Sequence, residues 1–420
     1  MNLVGIIVFI IVFGVLVLVH EAGHLILAKR AGILVREFSI GMGPKIFSMR
    51  DKTGTLYNVR ILPLGGYVRM AGLAEEAPLE KGQQISLVLG ESGEVVKINL
   101  NPERVIVDAL PFTVVDFDLV DALEVRGYSP ANPDETVTYK VARECYIVEL
   151  NGDELLNAPR EVMYDSASFF GKFTTNIAGP VGNFILGIVL FIILAFMTGT
   201  TPVYNTNQVG AVEHDMPAYK AGIREGDRII SIDGKKIESF SDISSIVQPK
   251  AGKALTFDVK GKGDIVIVPM KHTEKGESFG AIGVGVYSKK LSTLEKITSG
   301  FTTAWDQSLA IFRALGSLIT HPNLNKLGGP VAIFQMSSDA SKMGVAAVLY
   351  LMAMLSMNLG IINLIPIPAF DGGKIILNIL EKIRRKPLSQ KVELAVTLVG
   401  VVIIVILMVS VTFNDIMRLF

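Results

Sequence analysis

"VLVHEAGHLILAKRAGI" (Val17–Ile33) sets two imidazoles and a carboxylate at the end of an apolar run. From Met1 to Val19 the only polar side chain is Asn2. Ionisable groups are costly in hydrocarbon, so in a membrane span they mark a functional interior. The cluster reads H-E-x-x-H, formed by His20, Glu21 and His24. On a helix His20 and His24 stand one turn apart on one face, a placement suited to two imidazole ligands on one Zn2+ with Glu21 as general base. A structural accident would bury all three groups without compensation.

The surroundings agree with a membrane setting. The chain has 420 residues, of which 50 % are hydrophobic, and a mean hydropathy of +0.46, beyond ordinary soluble composition. Its 40 basic and 40 acidic residues balance, which gives no support for a nucleic-acid partner. Cys145 is the only cysteine, so an intramolecular disulfide and a thiolate metal cluster are both excluded. The N-terminal run lacks a basic leader and a small-residue cleavage site, and is expected to be a retained helix.

Four stretches are long enough to cross about 30 Å of hydrocarbon at 1.5 Å per residue. They are residues 1–28, 173–199, 343–371 and 394–414. Lys29, Arg30, Arg36 and Lys45 follow the first, and Lys172 precedes the second. Lys382, Arg384, Arg385, Lys386 and Lys391 crowd the connection between the third and fourth. Basic loops stay in the cytoplasm, so both termini and residues 200–342 are expected to face outward.

Residues 34–82 alternate in hydropathy, with glycines at 41, 43, 65 and 66 suited to tight turns. Two readings stay open: an ordinary cytoplasmic β subdomain, or a membrane-associated β region dipping into a protein-lined cavity beside the first span. Residues 83–165 read as a small β-rich cytoplasmic insertion with polar turns that favour solvent. Residues 203–287 read as strand, short helix, strand, Asp-Gly turn and helix, then a hairpin around Gly261 and Gly263. They resemble the bacterial PDZ module, with Ala221–Gly222 and Gly226–Asp227 matching its signature, and such modules capture peptides by strand addition. In residues 293–342, amphipathic helices are expected, with Phe301, Trp305, Leu309, Phe312 and Leu315 on one apolar face that packs the outer domain against the membrane. His214, His272 and His321 receive no role.

Two histidines leave a catalytic zinc short of a third protein ligand. Asp371, in "NLIPIPAFDGG" (Asn363–Gly373), is the best candidate, because the first and third spans run in the same direction and deliver both motifs toward the cytoplasmic end. The competing reading makes Asp371 the N-cap of the following helix, residues 372–386.

Together, "HEAGH", "GMGPKIFS", "LPLGGYVRM", "NIAGPVGNF", the PDZ signature and "NLIPIPAFDGG" resemble the site-2 protease family of intramembrane zinc metalloproteases, in its bacterial RseP/RasP-like branch with a PDZ domain. The resemblance runs nearly end to end. It implies a polytopic α-helical membrane protein of about four spans, with a membrane-associated β region, a small cytoplasmic insertion and one extracytoplasmic PDZ domain. It also implies zinc held by His20, His24 and Asp371, with Glu21 as the catalytic glutamate. Asn363, Pro366 and Pro368 match the polar and helix-breaking positions beside the aspartate, where Phe370 replaces the more usual leucine. With Gly65 and Gly66 these residues are expected to hold an unwound substrate. Asn176 and Asn183 are candidates for the same task or for packing between spans. The implied substrates are single-span membrane proteins, such as an anti-sigma factor or a signal-peptide remnant, cleaved in a bacterial cell membrane. Rival readings are a catalytically silent PDZ membrane adaptor and a metal transporter.

Overall fold

The computed structural model describes residues 3–73, 79–274, 277–320, 328–386 and 388–417. The chain forms two compact units, Met1–Phe191 with Thr303–Phe420, and Ile192–Thr302.

In the first unit, α1 (Leu3–Arg30) carries the H-E-x-x-H pattern on an uninterrupted apolar helix. The following β1 (Val35–Arg50) and β2 (Leu56–Met70) are each bent, so the pair forms more than a simple hairpin. Residues 37–40 pair with 56–59 on one side and with 66–69 on the other, while 45–50 extend the ladder beyond 56–60. The bends coincide with Gly41, Gly43 and Gly65, all at positive φ, a region glycine enters without a Cβ clash.

Residues 83–165 form β3 (Gln84–Leu89), β4 (Val95–Asn99), β5 (Leu110–Asp118), β6 (Glu124–Ser129), β7 (Asn132–Val148) and β8 (Glu154–Leu156). The order is β4-β3-β5-β6-β7-β8, and β4 pairs in parallel with β7, so five strands close on themselves around Leu87, Ile98, Cys145 and Ile147.

The second long helix, α2 (Phe169–Thr198), begins four residues before the expected span and contains Pro180. Its early start includes Lys172, whose buried ammonium lies 3.3 Å from Glu381 and 5.4 Å from the Tyr164 ring centroid. Small residues let α1 and α2 approach closely. A Cβ on Gly23 would stand 2.4 Å from the Ala178 carbonyl oxygen, and one on Gly182 would stand 3.0 Å from that of Val19, the packing mode of membrane helices.

The other unit holds β9 (Thr200–Pro202), β10 (Val209–Val212), α3 (Pro217–Lys220), β11 (Ile229–Ile232), β12 (Lys235–Lys236), α4 (Phe240–Val247) and β13 (Leu255–Val259). Next come β14 (Gly263–Ile267), β15 (Met270–Glu274), β16 (Glu277–Ala281), β17 (Val284–Val286) and β18 (Ser288–Lys290). A four-stranded sheet, β12-β11-β13-β14, supports a core of Val209, Ile223, Ile229 and Phe257. Asp233 and Gly234 both have positive φ in the tight β11–β12 connection, as a type I′ turn requires. The rings of His214 and His272 lie 4.2 Å and 5.3 Å from those of Tyr219 and Phe279.

The chain continues as α5 (Thr293–Thr320), α6 (Pro330–Met343), α7 (Val345–Leu364), α8 (Asp371–Arg384) and α9 (Gln390–Met417). On α5 the stripe Phe301, Trp305 and Phe312 is exposed. His321 lies outside the described residues. α7 ends at Leu364, ahead of Asp371. Pro366 explains this, since a proline disfavours the helical conformation of the residue before it. Among the described residues, four helices are long and apolar enough to cross a membrane: α1, α2, α7 and residues Leu394–Met417 of α9.

Candidate active site

On α1 the His20 and His24 rings face each other edge to face, with their Nε2 atoms 3.3 Å apart. Asp371 Oδ2 lies 3.2 Å from each Nε2, and all three side chains are buried. α2 fixes both rings. The carbonyl oxygen of Thr175 lies 2.7 Å from His24 Nδ1 and accepts its proton. The side-chain Nδ2 of Asn183 lies 3.0 Å from His20 Nδ1, and a flip of the amide exchanges its nitrogen and oxygen. With the amide oxygen turned toward the ring, Nδ1 donates there too, and both Nε2 atoms keep free lone pairs.

Those lone pairs converge on an aspartate oxygen that is buried and accepts no hydrogen bond. Three electron-pair donors pointing at one another repel unless a cation sits among them. Their mutual spacing also suits zinc: donors held tetrahedrally at ~2.0–2.1 Å stand about 3.3 Å from one another. The donor set therefore fits a metal ion.

Asp371 does not cap α8. The N-cap is Phe370, whose side chain makes no capping bond, and Asp371 is the first helical residue. Just before it, Ala369 adopts a φ of +78°, an uncommon conformation for a residue with a Cβ and a usual companion of functional sites.

A cavity of about 350 Å³ opens at the cluster, lined by Glu21, Gly65, Gly66, Tyr67, Asn176 and Asn363, together with Ala369 and Lys374. Gly66 is packed against α1, for a Cβ there would stand 2.7 Å from Val17 Cγ1 and 3.1 Å from Glu21 Cγ. Beyond Tyr67 the wall is braced by Glu37, whose Oε1 accepts from Tyr67 Oη at 2.7 Å, Arg60 Nη2 at 2.9 Å and Asn58 Nδ2 at 2.5 Å. Burial pushes the Glu37 carboxyl up, and these donors more than offset that, holding it below the usual carboxylate range.

Three expected substrate contacts are absent from this wall: Pro366, Pro368 and Asn183. The prolines end α7 and shape the turn into α8, where a Cβ on Gly400 of α9 would stand 2.1 Å from the Pro368 carbonyl oxygen. Asn183 is fully buried against His20. Asn176 reaches the cavity, and its amide also donates to Tyr164 Oη at 2.8 Å.

Sequence reasoning missed Thr175, Gly179 and Lys374. Thr175 acts through its backbone, which residue type does not encode. Gly179 falls inside the quoted "NIAGPVGNF". Lys374 stands three residues after Asp371 on α8, one helical turn along, a signal that was available.

Comparison with known proteins gives the arrangement its family. A named relative, the protease eep of Enterococcus faecalis, is 48 % identical over 419 residues, covering 99 % of both chains. Proteins of Streptococcus pyogenes serotype M6 and Streptococcus pneumoniae serotype 4, both named as zinc metalloproteases, are each 48 % identical over the whole of both chains. Among solved structures, the PDZ domain of the SdrC-like protein of Listeria monocytogenes matches 20 % of this chain and 92 % of its own, at 23 % identity and a TM-score of 0.17, a likeness too weak to argue from. Named proteases along the full length leave the adaptor and transporter readings without support. Since the model of Peptidase family M50 matches residues 8–407, the chain belongs to that family, the site-2 proteases, and is a zinc-dependent metalloprotease of the membrane.

Proposed function

We propose that this protein hydrolyses peptide bonds within or beside the transmembrane segments of single-span membrane proteins, as the last cut of regulated intramembrane proteolysis in a bacterial cell membrane. The supporting observation is the His20, His24 and Asp371 cluster, buried at the end of an apolar helix and open to a cavity with a strand along its wall. In this reading His20, His24 and Asp371 hold the zinc. When bound, zinc lowers the pKa of a water molecule and polarises the scissile carbonyl. Glu21 takes a proton from the attacking water on its carboxylate and delivers it to the leaving amide nitrogen. Asn183 and the Thr175 carbonyl keep the rings oriented.

A substrate helix must unwind before attack, because its amides are hydrogen-bonded internally. Residues Gly66–Met70 pair with β1 along one edge only among the described residues. We assign the other edge to the unwound substrate, which adds as a strand, with Gly65, Gly66 and Asn363 as its contacts. The positive-inside pattern sets this site toward the cytoplasmic face and residues 200–342 outside.

In the second unit a groove of about 360 Å³ runs between α4 and residues 279–284, lined by Phe240, Ile243, Val247, Phe279 and Ile282. We read this unit as a PDZ gate that sorts substrates. Deleting residues 203–287 with a short Gly/Ser join should spare cleavage of a shortened substrate and relax rejection of the full-length one.

The central test is a purified single-span reporter in lipid discs, with the cut mapped by mass spectrometry. Cleavage inside or next to the apolar segment by wild type, and none by Glu21→Gln, is expected. Cuts confined to soluble tails would overturn the proposal.

A further inference from the structure

We propose that the β-rich domain of residues 83–165 rests on the lipid bilayer through two loop tips, residues 103–110 and 149–152. Most apolar side chains of this domain fill its core. Five large ones do not: Leu110 and Val115 are about two-fifths exposed, and Val105, Val107 and Leu150 stand out at 89 %, 81 % and 70 %. These last three belong to loops bound to each other, since Asn101 Nδ2 donates to the Leu150 carbonyl at 3.0 Å and Arg104 Nη1 to that of Gly152 at 3.3 Å. Asn99 and Asn101 tie the first loop internally, through Asn99 Nδ2 to the Arg104 carbonyl and Glu103 N–H to Asn101 Oδ1. Such tips present apolar surface without leaving their turns unbonded.

The second tip is tied to a strand pair that is itself apolar and exposed. Lys45 Nζ bonds Asp153, and Arg50 Nη2 donates to the Glu154 carbonyl, so the second loop is fastened to β1. There Ile46, Phe47 and Met49 are exposed, together with Ile61 and Leu62 of β2. That pair of strands packs on α1 at Val17 and Glu21 through Gly66, at the level of a membrane helix. Exposed apolar side chains gathered on linked loops and strands mark a binding surface, and the packing of β1 and β2 on the apolar helix α1 points to lipid as the occupant. Lys45, Arg50, Lys97 and Arg104 are engaged with Asp153 and Glu154, so the contact is apolar and lipid charge does not set it.

The test uses the full chain in lipid discs of phosphatidylcholine, with and without phosphatidylglycerol. Val105→Cys and Leu150→Cys carry an environment-sensitive fluorophore, and Asp134→Cys, in an exposed part of β7, is the control. Native Cys145 is buried and stays unlabelled. Labels at 105 and 150 should be quenched at least about 3-fold more than the one at 134 by spin-labelled lipid, and equally in both discs. Aqueous iodide should quench them less. Labels at 105 and 150 as open to iodide as that at 134 would overturn the proposal. So would protection in native membranes that disappears in lipid-only discs, which would mean that a protein covers the patch.

Discussion

Gly179 of α2 stands so near His24 that a Cβ on it would lie 2.3 Å from the ring's Nε2 and 2.8 Å from His20 Cε1. The proposed metal-binding face of α1 is therefore shaped by a residue with no side chain. Gly179→Ala has to push a ring aside or force α1 and α2 away from each other, and overpacking of this kind costs about 1–3 kcal/mol. The variant is expected to fold while losing most of its zinc and about 10-fold or more of its cleavage rate. Zinc per folded protein and reporter cleavage check this. A variant with full zinc would show that the rings can yield.

How much of this was legible depends on whether the signal was local. His20, Glu21 and His24 were readable because helical spacing and an apolar background fall within one short stretch. Asp371 was readable as a lone carboxylate in a motif just past the third apolar stretch, and the fold sets it 3.2 Å from both imidazoles. The contact of Asn183 with His20 was not legible, since the two lie 163 residues apart and no periodicity reports such a contact. The pairing within β1 and β2 was likewise hidden, because it depends on bends at Gly41, Gly43 and Gly65 whose φ values sequence does not print. The start of α2 was missed because Lys172 looked like the edge of a span, while in the fold Glu381 meets its charge.

Cys145 should be chemically silent in the folded protein. Burial in the β-barrel core pushes its thiol up to about 12, against about 8.5 for a free cysteine. At pH 8 only about one thiol in 10⁴ is then ionised, and the thiolate is the reactive form. An aromatic disulfide reagent is expected to titrate no thiol in native protein and one after denaturation. The sign for stability follows from the raised folded pKa: the contribution is intact below about 8.5, and it falls as pH rises toward about 12, because the unfolded thiol loses its proton first. Rapid labelling of native protein at pH 8 would refute the buried placement.

Lys374 lines the cavity with Glu21 and makes no ion pair or side-chain hydrogen bond among the described residues. An ammonium in a cavity of low dielectric stabilises negative charge developing on a substrate carbonyl oxygen. Lys374→Met is expected to keep its zinc and lose about 10²-fold in kcat, with a smaller change in KM, while Lys374→Arg keeps most activity. Unchanged kcat in the methionine variant would leave this cation with no role in turnover.

Asp371 and Glu21 should separate cleanly by substitution. As the first residue of α8, Asp371 gives the helix no side-chain cap, so replacing it with asparagine removes no helix-ending bond. What changes is the charge facing two neutral imidazoles. Asp371→Asn is therefore expected to fold with normal thermal stability in the zinc-free state, bind zinc at least about 10-fold more weakly, and cleave little. Glu21→Gln keeps the shape of its side chain and all three proposed ligands while removing the proton acceptor. It is expected to hold zinc like wild type and to lose cleavage by about 10²-fold or more. Metal content by mass spectrometry, chelator competition and reporter cleavage distinguish the two. An asparagine variant that binds zinc and cleaves like wild type would mean that a donor other than Asp371 completes the site.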